Sequence, residues 1–296
     1  MTQHFGFVAI MGAPNAGKST LVNQLIGAKV SIVSPKVQTT RTTIRGILMA
    51  GDTQIVLVDT PGIFNPSRRL DRAMVASAWS HAGDADTRLV LVDAQKGADK
   101  NTKNILESLK KNNQKCILVI NKIDLLPKAR LLPLIEELNK TDVFTDTFLI
   151  SAQTGENVSD LKKFLISKMP ESPWMFPDDQ LTDLPNQLFA AEITREKLFM
   201  LLQQELPYTL AVETTKWQEN ETAIRLEQTI YVEREGLKPI ILGRGGSMIK
   251  KIGELSRKEI QALYGKKTHL FLFVKVKENW TEDPTQYSRW GLDYNA

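Results

Sequence analysis

Gly12-Ala-Pro-Asn-Ala-Gly-Lys-Ser19 is the stretch that decides how this chain is read. It follows the apolar run Phe5–Met11 and precedes Thr20-Leu-Val-Asn-Gln-Leu-Ile26, whose apolar residues fall at helical spacing. Strand, glycine loop and helix in that order make G-x-x-x-x-G-K-S a cradle for a phosphate chain. Gly12 and Gly17 let the main chain wrap closely, so that its N–H groups turn inward on anionic oxygens. The new helix adds the positive end of its dipole. The segment in phosphate contact is then Gly12, Ala13, Pro14, Asn15, Ala16, Gly17, Lys18, Ser19 and Thr20. Lys18 reaches the β- and γ-phosphates, and the Ser19 hydroxyl is placed for Mg²⁺. The loop alone says nucleotide, without saying which.

Working outward, Ser34–Thr43 is polar and without helical periodicity, a loop before a strand near Ile44–Ala50. In nucleotide switches a threonine in this place closes over the γ-phosphate and Mg²⁺. Thr40 is the candidate and Thr39 its neighbouring alternative. Next, the apolar run from Gln54 ends in Asp59-Thr60-Pro61-Gly62, followed by Ile63. Asp59 at a strand end can hold Mg²⁺ through a water, and the Gly62 N–H can sense the γ-phosphate. Two more buried-strand runs, Arg88–Asp93 and Lys115–Asn121, are separated by helical patterns, which predicts parallel strands with crossover helices. The second run opens the tetrapeptide Asn121-Lys122-Ile123-Asp124. Guanine presents two N–H donors on one edge, and the Asp124 carboxylate can accept both; adenine would leave it unsatisfied. Asn121 is expected to tie this loop to the phosphate loop, with the Lys122 stem along the base. A last strand, Thr147–Ile150, leads into Ser151 and Ala152, a loop that can offer a main-chain N–H to guanine O6. All these motifs fall at the carboxyl ends of strands, where open parallel sheets bind ligands.

Taken together, GAPNAGKS, TTR, DTPG, NKID and SAQ resemble the translation-factor-related class of P-loop GTPases. That resemblance implies an α/β domain with a mostly parallel sheet and helices on both faces. It also implies GTP/GDP and Mg²⁺ as ligands, the metal held by Ser19, Thr40 and Asp59, and a catalytic set of Lys18, Asn15, Thr40 and Gly62. Two positions depart from the Ras pattern. Ile63 stands where a Ras-like enzyme carries a water-positioning glutamine, and an isoleucine cannot orient water. Asn15 stands where related GTPases hold K⁺ beside the phosphates, which implies slow, K⁺-stimulated hydrolysis.

Beyond the helix Glu156–Lys168, three prolines (Pro170, Pro173 and Pro177) stop regular structure. The expected organisation is a first domain over 1–170, a linker over 171–186 and a second domain over 187–296. Trp174, Met175 and Phe176 are expected to tack onto a domain surface. The second half reads as a helix Gln187–Glu205, strands Tyr208–Gln218 and Thr222–Val232, a glycine loop, a helix to Leu263 and a strand Leu270–Val276. This order resembles a type II KH domain, an α+β fold. Gly243-Arg244-Gly245-Gly246 matches the family's G-x-x-G, and Ile249 and Lys250, beside Lys251, match its continuation. Two glycines let a phosphodiester backbone approach the main chain, while a neighbouring groove reads a few unstacked bases. The loop could also be a second nucleotide-phosphate loop, but it lacks the following Lys-Ser/Thr.

At 296 residues and 42% hydrophobic content, two soluble domains are expected. One cysteine, Cys116 in an apolar run, excludes an internal disulfide, and three scattered histidines indicate no zinc site. Neither a secretory signal nor a membrane span is recognisable, which predicts a cytoplasmic protein; a monomer is expected. A net charge of +4 is a weak pointer to polyanions on its own; the cations around GRGG are the stronger one. The whole chain resembles the bacterial ribosome-assembly GTPases that carry a KH domain. This implies a GTP-controlled factor for the 3′ region of 16S ribosomal RNA and the 30S subunit, with peripheral contact at the inner membrane. Two other readings stand beside it: a nucleotide held as a fixed structural ligand, and a GTPase serving RNA modification. Intact Lys18, Ser19 and Asp59 oppose the first, and the lack of room beyond about residue 185 opposes the second.

Overall fold

Alternation along the first strand sets the architecture. In β1 (His4–Gly12), Val8 and Ile10 face one side and Ala9 and Met11 the other, all fully buried, so the strand needs cover on both faces. The computed structural model, which describes residues 2–36, 39–203 and 206–296, supplies it with a six-stranded sheet. The elements run β1, α1 (Lys18–Ile26), β2 (Ile44–Ala50), β3 (Thr53–Asp59), α2 (Arg69–Asp84), β4 (Thr87–Asp93), α3 (Lys100–Lys111), β5 (Cys116–Asn121), α4 (Leu131–Asn139), β6 (Phe144–Ile150) and α5 (Val158–Lys168). Strand order is β2-β3-β1-β4-β5-β6, and only β2 is antiparallel to its neighbour. Helices α1 and α5 cover the face of Val8 and Ile10; α2, α3 and α4 cover that of Ala9 and Met11. The strand after β1 in the chain lies on one side of it and β4 on the other. The crevice at the end of β1 is therefore the switch point where such sheets bind ligands.

A second sheet of three strands follows. Its elements are α6 (Asn186–Leu201), β7 (Leu210–Glu219), β8 (Ala223–Val232), α7 (Lys238–Leu242), α8 (Ser247–Tyr264) and β9 (Lys267–Val276), then a short α9 (Pro284–Arg289). β7 and β8 are antiparallel, β8 and β9 parallel, with β9 at the edge. Phe189, Ile193 and Leu198 of α6 and Ile252 and Ile260 of α8 fill the core against the strands.

The chain divides into two units, and the division differs from the sequence-based one. One unit holds Met1–Ser31, Thr40–Asp183 and Tyr287–Ala296; the other holds Ile32–Thr39 and Leu184–Gln286. The stretch expected as a linker is bound along the first unit. Gln54 is completely buried in β3 and satisfies its amide there, donating to the Phe176 carbonyl at 2.7 Å and accepting from the Met175 and Phe176 amides at 3.0 Å each. Trp174 and Phe176 pack on Phe5, Val56 and Val58, as the expectation of a surface tack requires. The last ten residues also belong to the first unit. Tyr287 is fully buried, Thr42 Oγ1 donates to the Trp290 carbonyl at 2.7 Å, and the Arg69 guanidinium lies 4.4 Å from the Tyr294 ring. Element ends shift as well: the last strand of the first sheet begins at Phe144 rather than Thr147, and α6 ends at Leu201. The expected helix end at Glu205 falls outside the described residues.

Candidate functional site

The first helix starts two residues earlier than its apolar pattern suggested. Lys18, Ser19 and Thr20 form the opening turn of α1, so their N–H groups belong to the helix N-terminus. Gly17 precedes them at φ +98°, and a Cβ there would lie 2.2 Å from Asn121 Nδ2. Only glycine fits. Lys18 is 6% exposed, and its ammonium donates to the carbonyls of Gly12 at 3.2 Å and Ala13 at 3.1 Å. Burial pulls its pKa down to about 8, against the opposing pull of Asp59. A neighbouring phosphate would raise it again by favouring the charged form.

Around Ser19 the structure gathers the three residues expected to hold a metal. Ser19 Oγ donates to Asp59 Oδ2 at 2.6 Å and lies 3.0 Å from Thr40 Oγ1. Asp59 is fully buried, and burial raises its pKa in spite of bonds from Ser19 and Ser31 and the charge of Lys18. Its Oδ1 has no hydrogen-bond partner among the described residues. A buried orphaned carboxylate oxygen costs roughly 1–3 kcal/mol, more when charged. Two hydroxyls beside it complete an all-oxygen set that suits a hard divalent cation. Thr39 turns away, its hydroxyl donating to the Lys36 carbonyl at 2.8 Å and lying 2.7 Å from Ser34 Oγ. Of the two threonines, Thr40 is the one whose hydroxyl lies beside Ser19. Ser31 was not foreseen: its hydroxyl donates to Asp59 Oδ2 at 2.6 Å.

The Asp59–Ile63 turn packs on the phosphate loop. Thr60 Oγ1 donates to the Ile10 carbonyl at 2.8 Å, the Ile63 amide to the Gly12 carbonyl at 3.1 Å, and a Cβ on Gly62 would come within 2.9 Å of Pro14. Pro61 is buried with them. The Ile63 side chain points into the core with Met11, Ala78 and Ala82. Only its main chain faces the loop.

Asn121 ties its loop to the phosphate loop, as expected, and holds a third loop besides. Its Nδ2 donates to the Ala16 carbonyl at 2.8 Å and its Oδ1 accepts the Ala152 amide at 2.9 Å. Lys122, at φ +68°, spans to the Asn15 carbonyl at 2.8 Å and pairs with Asp93 Oδ2 at 2.6 Å. Asp93, at the carboxyl end of β4, is a site residue the motifs alone did not expose. Ile123 and Asp124 form a 3-10 turn, with Asp124 exposed and open to a base edge. Ser151 is buried, and its amide donates to the Glu156 carbonyl at 3.1 Å.

In the second unit, α7 ends at Gly243, where φ is +74° and a Cβ would meet Met248 at 2.7 Å. Arg244, Gly245 and Gly246 make a single tight turn into α8, and added Cβ atoms at Gly245 and Gly246 would meet nothing within 4 Å. The loop is open on that side. Beside it runs a groove of about 370 Å³ between α8 and β9, lined by Ile249, Lys250, Gly253, Glu254, Arg257, Leu270 and Leu272. Lys251 is exposed on α8 outside that lining. Leu270 and Leu272 were read only as strand residues; their inward register makes them a groove wall.

A family model described as a 50S ribosome-binding GTPase matches residues 7–122, and a KH-domain model matches 205–281. The chain is 54% identical over 290 residues to GTPase Era of Brucella suis biovar 1, covering 98% of this chain and 93% of that protein. GTPase Era of Bradyrhizobium sp. strain ORS 278 is likewise 54% identical, with 98% and 94% covered. This chain belongs to the Era family of GTPases. A crystal structure of Era in complex with MgGDPNP and nucleotides 1506–1542 of 16S ribosomal RNA aligns with a TM-score of 0.92 at 39% identity, covering 98% and 99% of the two chains. As an Era-family member the chain is a GTPase, with a P-loop domain over a mostly parallel sheet and a KH domain after it. No helix among the described residues is long and apolar enough to cross a membrane.

Proposed function

We propose that this Era-family GTPase is a switch that reads GTP in its first unit and binds the 3′ region of 16S ribosomal RNA through its second, in maturation of the 30S subunit. The observation that carries the switch is the division of one loop. Thr40 Oγ1 sits on the Ser19–Asp59 metal set, while the carbonyl of the preceding residue, Thr39, accepts from Arg195 of α6. Arg195 is itself 2% exposed and forked onto the Glu192 carboxylate. The Val33 amide donates to Glu196 Oε1 at 2.8 Å, so the same helix holds both ends of Ile32–Thr39. A nucleotide that draws Thr40 in or lets it go changes what α6 holds. An Era complex with MgGDPNP and 16S nucleotides supports both halves of this reading.

Ser19, Thr40 and Asp59 would hold Mg²⁺, which neutralises charge on the β- and γ-phosphate oxygens when bound. Lys18 and the amides opening α1 stabilise the charge that grows as the bond to the γ-phosphorus breaks and water adds to it. The Gly62 amide senses the γ-phosphate. Asp124 accepts both guanine donors, and O6 competes for the Ala152 amide now given to Asn121. Ile63 offers no polar side-chain atom to orient water, so hydrolysis without help is slow. Asn15, at φ +64°, is the residue for a K⁺ site beside the phosphates. Hydrolysis in KCl is expected to exceed that in NaCl, and equal rates would remove the K⁺ site.

The deciding experiment measures affinity for a single-stranded oligonucleotide of the 16S 3′ end at fixed salt, with GTP analogue, with GDP and with neither. Tightest binding with the analogue is expected, together with a reciprocal rise in analogue affinity when RNA is present. Equal affinity in all three states would leave an RNA-binding GTPase without a switch.

A further inference from the structure

The edge strand β9 presents two chemically different faces. Its inward residues Leu270 and Leu272 wall the groove against α8. The alternate residues point outward, and there Phe271 and Phe273 are 41% and 46% exposed. Large aromatic side chains two apart on an uncovered sheet face are costly to leave in water unless they meet something. Their surroundings are cationic. Arg225 of β8 lies with its guanidinium 4.7 Å from the Phe271 ring, His269 is its register partner, and Lys275 continues the face. No carboxylate pairs with Arg225 or Lys275 among the described residues. Four lysines elsewhere in this unit are paired: Lys238 with Glu235, Lys258 with Glu254, Lys266 with Glu219 and Lys277 with Asp283. Two acids share the face: Glu227 stands opposite Phe271, with its carboxylate 3.9 Å from Lys216, and Glu213 pairs in register with Thr229, the partner of Phe273.

We propose that this outward face is a second contact for single-stranded RNA, separate from the groove. Bases that run past the edge of β9 stack on Phe273 and Phe271, and Arg225 and Lys275 meet their phosphates. The inference rests on RNA binding by the groove as proposed above. Flat aromatic rings interleaved with uncompensated cations make a stacking platform for bases of any identity. A protein-binding core would instead be depleted of charge. The position of β9 at the sheet edge puts groove and platform on opposite faces of one strand.

The test compares two single-stranded RNAs at fixed salt, one of about five nucleotides that fills a KH groove and one of about twelve that extends beyond it. The full chain and its Phe271→Ala/Phe273→Ala variant are each titrated with both. The double variant is expected to lose about 10-fold or more on the longer RNA and less than about twofold on the shorter. The pair Phe271→Tyr/Phe273→Tyr, which keeps the rings, should retain wild-type affinity and shows that the fold tolerates change there. Equal effects on both RNAs, or none on the longer, would overturn the platform. So would a wild-type dimer that the alanine pair dissolves without changing RNA affinity, since the face would then belong to a second copy. Failure of the unmodified chain to bind either RNA would instead bring down the groove reading on which this one stands.

Discussion

The two glycine loops of this chain use one device in opposite ways. Each turns the main chain into the start of a helix, Gly17 into α1 and Gly246 into α8. The first is enclosed: Gly17 has no room for a Cβ, Lys18 is buried, and Asn121 and Lys122 hold the loop's carbonyls. The second is open, with nothing within 4 Å of added atoms at Gly245 and Gly246. Enclosure strengthens each charge–dipole contact by excluding water, which suits a terminal phosphate chain recognised in full. Openness lets a continuous backbone pass through and leaves identity to the groove beside it. Glycine at a helix start is therefore the expected mark of phosphate in both units. Burial decides what kind.

If the contrast is right, damage to the enclosed loop should cost far more than damage around the open one. Lys18→Ala should lower GTP hydrolysis by about 10²–10³-fold, measured as phosphate release with circular dichroism confirming the fold. A loss under tenfold would mean the enclosure contributes little. Asp124→Asn leaves one acceptor where guanine needs two. GTP affinity should fall about 10²-fold, and xanthosine triphosphate, with a carbonyl in place of the 2-amino group, should gain on it. Unchanged discrimination would displace Asp124 from the base site.

The Thr39 anchor on α6 should respond less. Arg195→Lys keeps the charge beside Glu192 but cannot fork to both the carboxylate and the Thr39 carbonyl. The ratio of RNA affinities with GTP analogue and with GDP, expected at about 5–150-fold in the parent, should shrink by several-fold. An unaltered ratio would place the coupling elsewhere. Smallest of all, Lys250→Gln on the groove wall should weaken RNA binding a few-fold and reduce the slope of log affinity against log salt by about 0.7. A slope that does not move would take Lys250 off the phosphates.

Much of the nucleotide site was legible because its chemistry is local and ordered. Strand ends announce themselves by apolar runs, and each functional residue sits within a few positions of one. Ser19, Asp59, Asn121 and Ala152 each stand in such a motif. Ser31 and Asp93 could not: a serine in a loop and an aspartate after a strand are common, and only their hydrogen bonds to Asp59 and Lys122 distinguish them. The polar stretch Glu192–Lys197 was similarly opaque. Helical spacing assigns one face of α6 to the core, yet Glu192, Arg195, Glu196 and Lys197 are all buried. Burial draws the Lys197 pKa down, but Glu196 and Glu259 outweigh it and the net shift is upward. Those charges are tolerated only because they are paired.

The sequence by itself determined the two folds, their order and the residues expected to meet phosphate, metal and guanine. Periodicity and glycine placement are short-range constraints, and a chain cannot satisfy them in many ways. Tertiary structure alone decided that Thr40 rather than Thr39 reaches Ser19, that residues 32–39 cluster with α6, and that 287–296 return to the first unit. It also decided which aromatic residues of β9 stay in water. Each of these depends on partners far away in the chain, and long-range burial leaves no local pattern to read.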